Sequence, residues 1–383
     1  MRLLHTADWH LGRSLYAASL AADQEVMLGQ VLAELENGYD GLLLAGDVYD
    51  RAIPPPESVR AFSNFLTSLA ALNIPAAIIS GNHDSPSRLG FADRVLESTG
   101  VHIRSQFTRL HEPVRFTDSE GLHTDVFCLP FVETGPVQSA LDRPDIGDFL
   151  AATEAALDQA RSGQEAGVPS ILMGHAYVTG GQDSESEREL FVGNSGQTPA
   201  ELFAGFDYVA LGHLHRPQSA GSPTIRYSGS LMPYSFSEAE DEKQMLRLDV
   251  QADGQIDITS IPLTPPRDIV VLKDSLENLL TQPRYDQHQT SYVKAVLTDT
   301  GYVLDPMPRL RDRFHQLLHL EQPALKPSQD IEIAKTSATK PADLLSLFLE
   351  QFDWDPADQH EAMLILEAHL QQQQAVDREG AVP

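Results

Sequence analysis

The sequence predicts a layered α/β fold followed by a small α+β unit and two short C-terminal helices. Three observations predict it. Strand-like and helix-like segments alternate through the first 100 residues, five short polar motifs each follow an apolar run, and a proline-rich break at residues 262–266 precedes a second alternating pattern. Strand–helix–strand alternation implies a sheet covered by helices with right-handed crossovers.

Residues 3–7 form the first apolar run, and residues 22–36 carry Val26, Leu28, Val31, Leu32 and Leu35 at helical spacing. Residues 42–45 read as the next strand, and a helical pattern over 57–72 begins behind three prolines. Residues 76–80 make a third strand and 88–98 a third helix. Residues 113–130 read as two strands around a polar turn, and 147–162 as a helix. Strands follow at 171–173, 208–211 and 225–227, with a polar, acidic segment at 180–189 that reads as a solvated loop. The expected domains are therefore 1–262 and 267–335. The second holds strand 269–272, helix 274–281, strand 291–297, helix 307–319 and strand 330–334. Over 341–372 two helices are expected, the first with an apolar stripe at Leu345, Phe348, Leu349 and Phe352. A disordered tail is expected over 373–383.

At 383 residues with 42% apolar side chains, the chain can bury a substantial core. Its apolar runs stop short of the roughly 20 residues that span a bilayer. A carboxylate at position 8 comes too early for a secretory leader, so no membrane association and a cytoplasmic location are expected. The single cysteine, Cys128, reads as a small buried hydrophobe. Asp and Glu total 55 against 27 for Lys and Arg, a net charge of −28. Taken alone, that opposes nucleic-acid binding, which draws on phosphate neutralisation. Bound divalent cations invert the local potential at a carboxylate-rich site, however, and a partner subunit can supply basic surface.

The five motifs are Asp8-Trp9-His10, Gly46-Asp47-Val48-Tyr49-Asp50-Arg51, Gly81-Asn82-His83-Asp84, Gly174-His175 and Gly212-His213-Leu214-His215. Each is expected in a loop at the carboxyl end of a strand, the edge where open α/β sheets bind ligands. Asp, Asn and His offer oxygen and imidazole donors suited to manganese, iron or zinc. The preceding glycines permit tight turns that aim these side chains inward. Five of the 14 histidines lie in these motifs, so chance clustering explains them poorly. Such a cluster suits phosphodiester hydrolysis, in which two ions about 3.5–4 Å apart clamp the phosphoryl oxygens and activate water. Sharing one ligand between both ions suits a carboxylate such as Asp47, and His83 could stabilise charge or protonate the departing oxygen.

At these residues the sequence resembles the calcineurin-like metallophosphoesterases, and within them the D subunits of bacterial SbcCD nucleases. The opening residues 1–12, the motifs around Asp47, Asn82 and His213, and Tyr227-Ser228-Gly229-Ser230 carry the likeness, which weakens after about residue 265. The resemblance implies a layered metallophosphoesterase β-sandwich flanked by helices, with a small α+β cap domain and C-terminal helices. It implies that Asp8, His10, Asp47 and His215 hold one metal ion, and that Asp47, Asn82, His175 and His213 hold a second. His83 would be the catalytic histidine, oriented through a hydrogen bond by Asp50. It further implies manganese, a homodimer, and a coiled-coil ATPase partner of the SbcC type clasped by the C-terminal helices. The substrate would be DNA, as duplex ends cut exonucleolytically and single strands or hairpins cut endonucleolytically. The setting would be nucleoid-associated recombination, repair and replication.

Three features stay open. Arg51 completes a Gly-Asp-x-x-Asp-Arg pattern and reads equally as a phosphate contact or a surface charge. His5, inside an apolar strand, reads as a core histidine. Arg13, Arg88 and Arg216 flank the motifs, and for at least two of them a solvated loop charge is the expectation. The alternative function is a phosphomonoesterase or cyclic-nucleotide phosphodiesterase with the same metal site, which Arg51 and the acidity favour. A non-catalytic scaffold predicts eroded ligand positions, and none is eroded here.

Overall fold

The computed structural model describes residues 1–187, 196–301, 303–323 and 364–365. The chain divides into two compact units, 1–270 and 271–383.

The first unit is built on two six-stranded sheets. Strands β1 (Arg2–Thr6), β2 (Gly41–Ala45), β3 (Ala76–Ile79) and β4 (Val101–Arg104) lie side by side and parallel in one sheet. In the other, β5 (Val114–Thr117) pairs antiparallel with β6 (His123–Leu129). Beside β6 run β7 (Ser170–His175) and β8 (Tyr208–Gly212), both parallel to it. Strand β9 (Gln218–Ala220) then closes the edge against β10 (Ser222–Tyr227), which is parallel to β8. Finally β11 (Gln244–Val250) returns to pair antiparallel with β1, and β12 (Ile256–Pro262) pairs antiparallel with β11.

Parallel strands covered on both faces read as continuous apolar runs, and every residue of β2 and β3 is buried. Alternate residues of the two sheets meet in one core: Leu3, Leu43, Ala77 and Leu246 from one, Phe116, Cys128, Met173 and Tyr208 from the other. The outer face of the second sheet packs Phe127, Leu172 and Leu211 with Ala152, Ala156 and Leu157 of helix Phe149–Arg161. The expectation of a layered β-sandwich with helices holds. Cys128 is a buried core residue, and burial pushes its thiol up to about 12. His5 is fully buried, accepting from the Tyr208 hydroxyl at 3.1 Å and donating to the Leu211 carbonyl at 3.2 Å. It is a satisfied core histidine, and burial lowers its pKa to about 3.

Some elements differ from the sequence reading. The helix expected over 88–98 is instead two short helices, Pro86–Leu89 and Asp93–Leu96, with a 3-10 turn after them. Ala92, at φ +62°, breaks the helical path. Strands β4, β9, β11 and β12 and the helix Thr134–Leu141 have no counterpart in the elements expected from sequence.

In the second unit, Ile269–Asp274, Tyr292–Leu297 and Gln316–Glu321 form a three-stranded sheet in that order. Helices Leu276–Thr281 and Pro306–Arg311 accompany it. The helix expected over 307–319 ends early. Gln316–Glu321 pairs parallel with Tyr292–Leu297, so strand pairing overrides the helix propensity of its leucines. The strand expected at 330–334, the helical stripe at 345–352, the 341–372 segment as a whole and the 373–383 tail lie outside the described residues, apart from Leu364 and Ile365. Among the described residues, no helix is long and apolar enough to cross a membrane.

Leu43→Ala, at the centre of the inter-sheet core, should cost about 2–5 kcal/mol in denaturant unfolding, whereas Phe91→Ala, 80% exposed, should change stability by less than about 0.5 kcal/mol. For His5, the unfolded chain binds a proton below 6.5 and the folded one only near 3, so its contribution is intact above pH 6.5 and declines as pH falls toward 3. Replacing it by Gln should flatten the acid side of the stability–pH curve by up to about one proton.

Candidate metal centre

Asp8 and His10 follow β1, Asp47 follows β2, Asn82 and His83 follow β3, His175 ends β7, and His213 and His215 follow β8. The carboxyl ends of five parallel strands therefore bring all of the expected ligand residues together. The backbone is bent to do it. Asp8, His10, Asp47 and His213 have φ of 53°, 44°, 49° and 107°. Left-handed conformations of this kind are strained for residues other than glycine and cluster at functional sites. Gly46 also has a positive φ, +89°, and a Cβ there would lie 2.3 Å from His175 Nδ1. At Gly81 the requirement is space, because a Cβ would sit 2.1 Å from Asp47 Oδ1. Gly174 needs neither; an added Cβ would make ordinary contact.

Two sets of donor atoms share Asp47. His10 Nε2 and His215 Nε2 face each other at 3.0 Å, and His10 Nε2 lies 3.5 Å from Asp47 Oδ2. Asp8, His10 and His215 bring one donor atom each within 4.8 Å of one another. On the other side, Asn82 Oδ1 is 3.0 Å from both His175 Nε2 and His213 Nδ1. His175 Nε2 is in turn 3.4 Å from Asp47 Oδ2.

Ring orientations are fixed from behind. His175 Nδ1 donates to the Ala45 carbonyl at 2.9 Å, leaving the Nε2 lone pair to the cluster. His215 Nδ1 donates to Ser186 Oγ at 2.5 Å, and that hydroxyl donates to the buried Glu238 carboxylate. Lys243 Nζ then donates to Glu238 at 2.6 Å and to the His215 carbonyl at 2.8 Å. Glu187 accepts from the His215 amide at 2.7 Å.

Charge in the centre follows from burial. Desolvation pushes the Asp8 carboxyl up to about 7, against the pull of His175 and His215. For Asp47 desolvation also acts upward, but His175, His10 and His83 outweigh it and hold the group well below the usual carboxylate range. His175 rises to about 9: burial opposes this, and Asp47 and Asp8 prevail. Burial, aided by His175, lowers His213 to about 3. Ring nitrogens of His10, His175, His213 and His215, the Asn82 Oδ1, and Asp8 and Asp47 with no Lys or Arg paired to them among the described residues make a donor set that fits divalent cations, and His10 Nδ1 is buried without a hydrogen bond.

His83 sits beside the cluster, its ring centroid 4.7 Å from that of His10. Its Nδ1 donates to Asp50 at 2.8 Å, but to the main-chain carbonyl rather than the carboxylate. The Asp50 carboxylate instead pairs with Arg13 at 3.1 Å and lies 3.7 Å from His10 Nδ1. Arg13 also donates to the Ser186 carbonyl, Arg88 to the Ala52 carbonyl, and Arg216 to Asp241. All three flanking arginines are engaged within the chain, while Arg51 is exposed beside the site.

Several contributors were not legible in the sequence. The 180–189 segment, read as a solvated loop, supplies Ser186 and Glu187. Glu238 and Lys243 follow the second sheet with no motif around them. Asp84 stands inside a motif but acts on the backbone, accepting from the amides of Val48, Tyr49 and Gly81 at 2.9–3.1 Å. It pins the Asp47 loop to the Asn82 loop.

Fold and donor set together define a metal-dependent phosphoesterase, and the family model for calcineurin-like phosphoesterase matches residues 1–217. A second, described as the type 5 capsule protein repressor C-terminal domain, matches residues 265–352. The chain is 31% identical over 365 residues to the D subunit of nuclease SbcCD from Staphylococcus epidermidis, covering 94% of each chain. It is 32% identical over 322 residues to the protein of the same name from Staphylococcus saprophyticus, covering 84% of each. A crystal structure of TT1561 from Thermus thermophilus has a TM-score of 0.37 and 14% identity, covering 68% of this chain and 98% of that one. The chain belongs to the family of SbcCD nuclease D subunits, within the calcineurin-like metallophosphoesterases, and it is a metal-dependent nuclease.

Glu238→Gln should weaken divalent-metal affinity by about 10–100-fold in calorimetric titration, as loss of a partner behind a ligand does. Ser186→Ala should fall in the same range.

Proposed function

We propose that the chain hydrolyses DNA phosphodiester bonds with two manganese ions, as a double-strand exonuclease and a single-strand or hairpin endonuclease. The observation that carries this reading is the convergence of two donor sets on one buried carboxylate, Asp47. Asp8, His10, Asp47 and His215 would hold one ion, and Asp47, Asn82, His175 and His213 the other. When bound, such a pair clamps phosphoryl oxygens and supplies a water-derived nucleophile. The chain's own residues do the rest. His83, half-buried at the rim, stabilises charge on the phosphoryl group or protonates the departing oxygen. The Asp50 carbonyl accepts from Nδ1, which fixes the His83 ring and leaves Nε2 as the nitrogen available to the substrate. The His175–Ala45 bond and the Ser186–Glu238–Lys243 chain hold the ligand rings ready, so little reorganisation accompanies reaction. Among the described residues Arg51 has no hydrogen bond or ion pair, which suits a contact to a DNA phosphate.

The names of the relatives carry a complex, SbcCD. On that ground we read the protein as one partner of a coiled-coil ATPase of the SbcC type, as a homodimer, in recombination, repair and replication. The second unit would cap the DNA, and the segment over 341–372 would bind the ATPase. The likeness to those nuclease subunits over both units favours this over a phosphomonoesterase or cyclic-nucleotide phosphodiesterase.

The test is release of nucleotides from linear duplex DNA and nicking of a hairpin with manganese. His83→Ala should retain metal binding and lose about 10²–10⁴-fold in kcat. Asp50→Asn, which leaves the main-chain carbonyl in place, should lose far less. Equal losses from the two substitutions would place the Asp50 carboxylate in the mechanism.

A further inference from the structure

Beside the metal centre a cleft of about 590 Å³ opens at the carboxyl ends of β3, β4 and β6. That size lies within the usual range for small-ligand sites. It shares Asn82 and Gly81 with the cluster. Its walls include Phe107 and Phe131, and its rim Gln106, Glu133 and Ser139. Phe131 joins the two sites. Its amide donates to the Ser80 carbonyl at 3.0 Å, and its ring lies 6.3 Å from that of His213 at an interplanar angle of 20°. A second ring, His175, is 6.2 Å from it, edge-on.

The lining has a clear chemical character. None of its residues is Lys or Arg, and the exposed Glu133 is among them, so the cleft offers an anion no cationic partner. A phosphate held at the metals would not extend its neighbour phosphate into it. Aromatic walls with amide and hydroxyl groups at the rim fit a flat, neutral, polar-edged ring. One sugar joins a nucleobase to its phosphate, and the cleft begins at a residue whose Oδ1 faces the cluster.

We propose that this cleft receives the nucleobase adjoining the scissile phosphate, stacked on Phe131 and extruded from the helix. The proposal deepens the nuclease reading and rests on it. A base inside a duplex cannot reach such a pocket without unstacking, which costs least where the base is already unpaired. Single strands, hairpin loops and frayed ends are therefore the substrates it serves. Stacking tolerates any base, so the cleft adds affinity without sequence preference.

The experiment uses the full chain with manganese and two single-stranded oligonucleotides of one sequence. The second carries an abasic residue on one side or the other of the mapped cleavage position. Phe131→Ala should lower kcat/KM on the intact strand by about tenfold and leave metal affinity unchanged. For wild type, an abasic residue on the side that fills the cleft should cause a similar loss. Phe131→Ala on that abasic strand should lose nothing more. Ser139→Trp, an exposed helix position that narrows the cleft from its rim, should reproduce the base-dependent loss without touching the Phe131 packing. Multiplying losses, or an equal Phe131→Ala loss on intact and abasic strands, would overturn the pocket while leaving the nuclease reading intact. Failure of wild type to cut either strand would overturn both.

Discussion

Three carboxylates, Asp8, Asp47 and Asp84, are buried in one crevice of this molecule, and the surrounding structure exists to make that tolerable. Unpaired buried charge is costly in proportion to its desolvation. Asp84 is answered by three backbone amides from two loops. Asp8 takes the His213 amide, and Asp47 takes the His83 amide at 2.8 Å. No lysine or arginine pairs directly with Asp8 or Asp47 among the described residues. Imidazoles face them instead: against desolvation, Asp47 and Asp8 raise His175 to about 9, and His175, His10 and His83 hold Asp47 well below the usual carboxylate range. Gathering these donors closely enough to suit a divalent cation is what the site requires of the fold.

This requirement orders the rest of the fold. Five loops must approach closely enough for their side chains to meet in one divalent-metal centre, which explains the left-handed φ angles at four donor residues and the need for glycine at 46 and 81. Strain of that kind persists only where packing over-determines it. The buried sheets supply that packing on one side of the site. Asp84 and the Glu238–Lys243 pair supply it in the loops, where the 180–187 segment is tied to His215 by hydrogen bonds.

Much of this was legible in the sequence because strand ends and donor residues both leave local marks. An apolar run followed by Gly-Asp or Gly-His announces a loop that aims a ligand, and each of the five motif-bearing runs reaches the same crevice. What was not legible depends on pairing across distance. Ser186 reads as one hydroxyl in an acidic stretch, and only the folded chain puts it between His215 and Glu238. Residues 316–321 carry leucines that favour a helix, yet they pair with 292–297. The resemblance implies that Asp50 orients His83 through a hydrogen bond, and the atom that makes the bond is the Asp50 main-chain carbonyl, which residue type cannot specify. Phe131 had no motif at all.

The net charge of −28 also finds its place. With 55 Asp and Glu against 27 Lys and Arg, long-range attraction to DNA has little source in the chain as a whole, and bound cations or a basic partner would have to provide it. Whether Asp47 bridges two ions is tested most directly by anomalous diffraction from manganese-soaked crystals. Two peaks about 3.5–4 Å apart are predicted, one on each side of the Asp47 carboxylate. A single peak, or a pair whose ligands exclude Asp47, would contradict it.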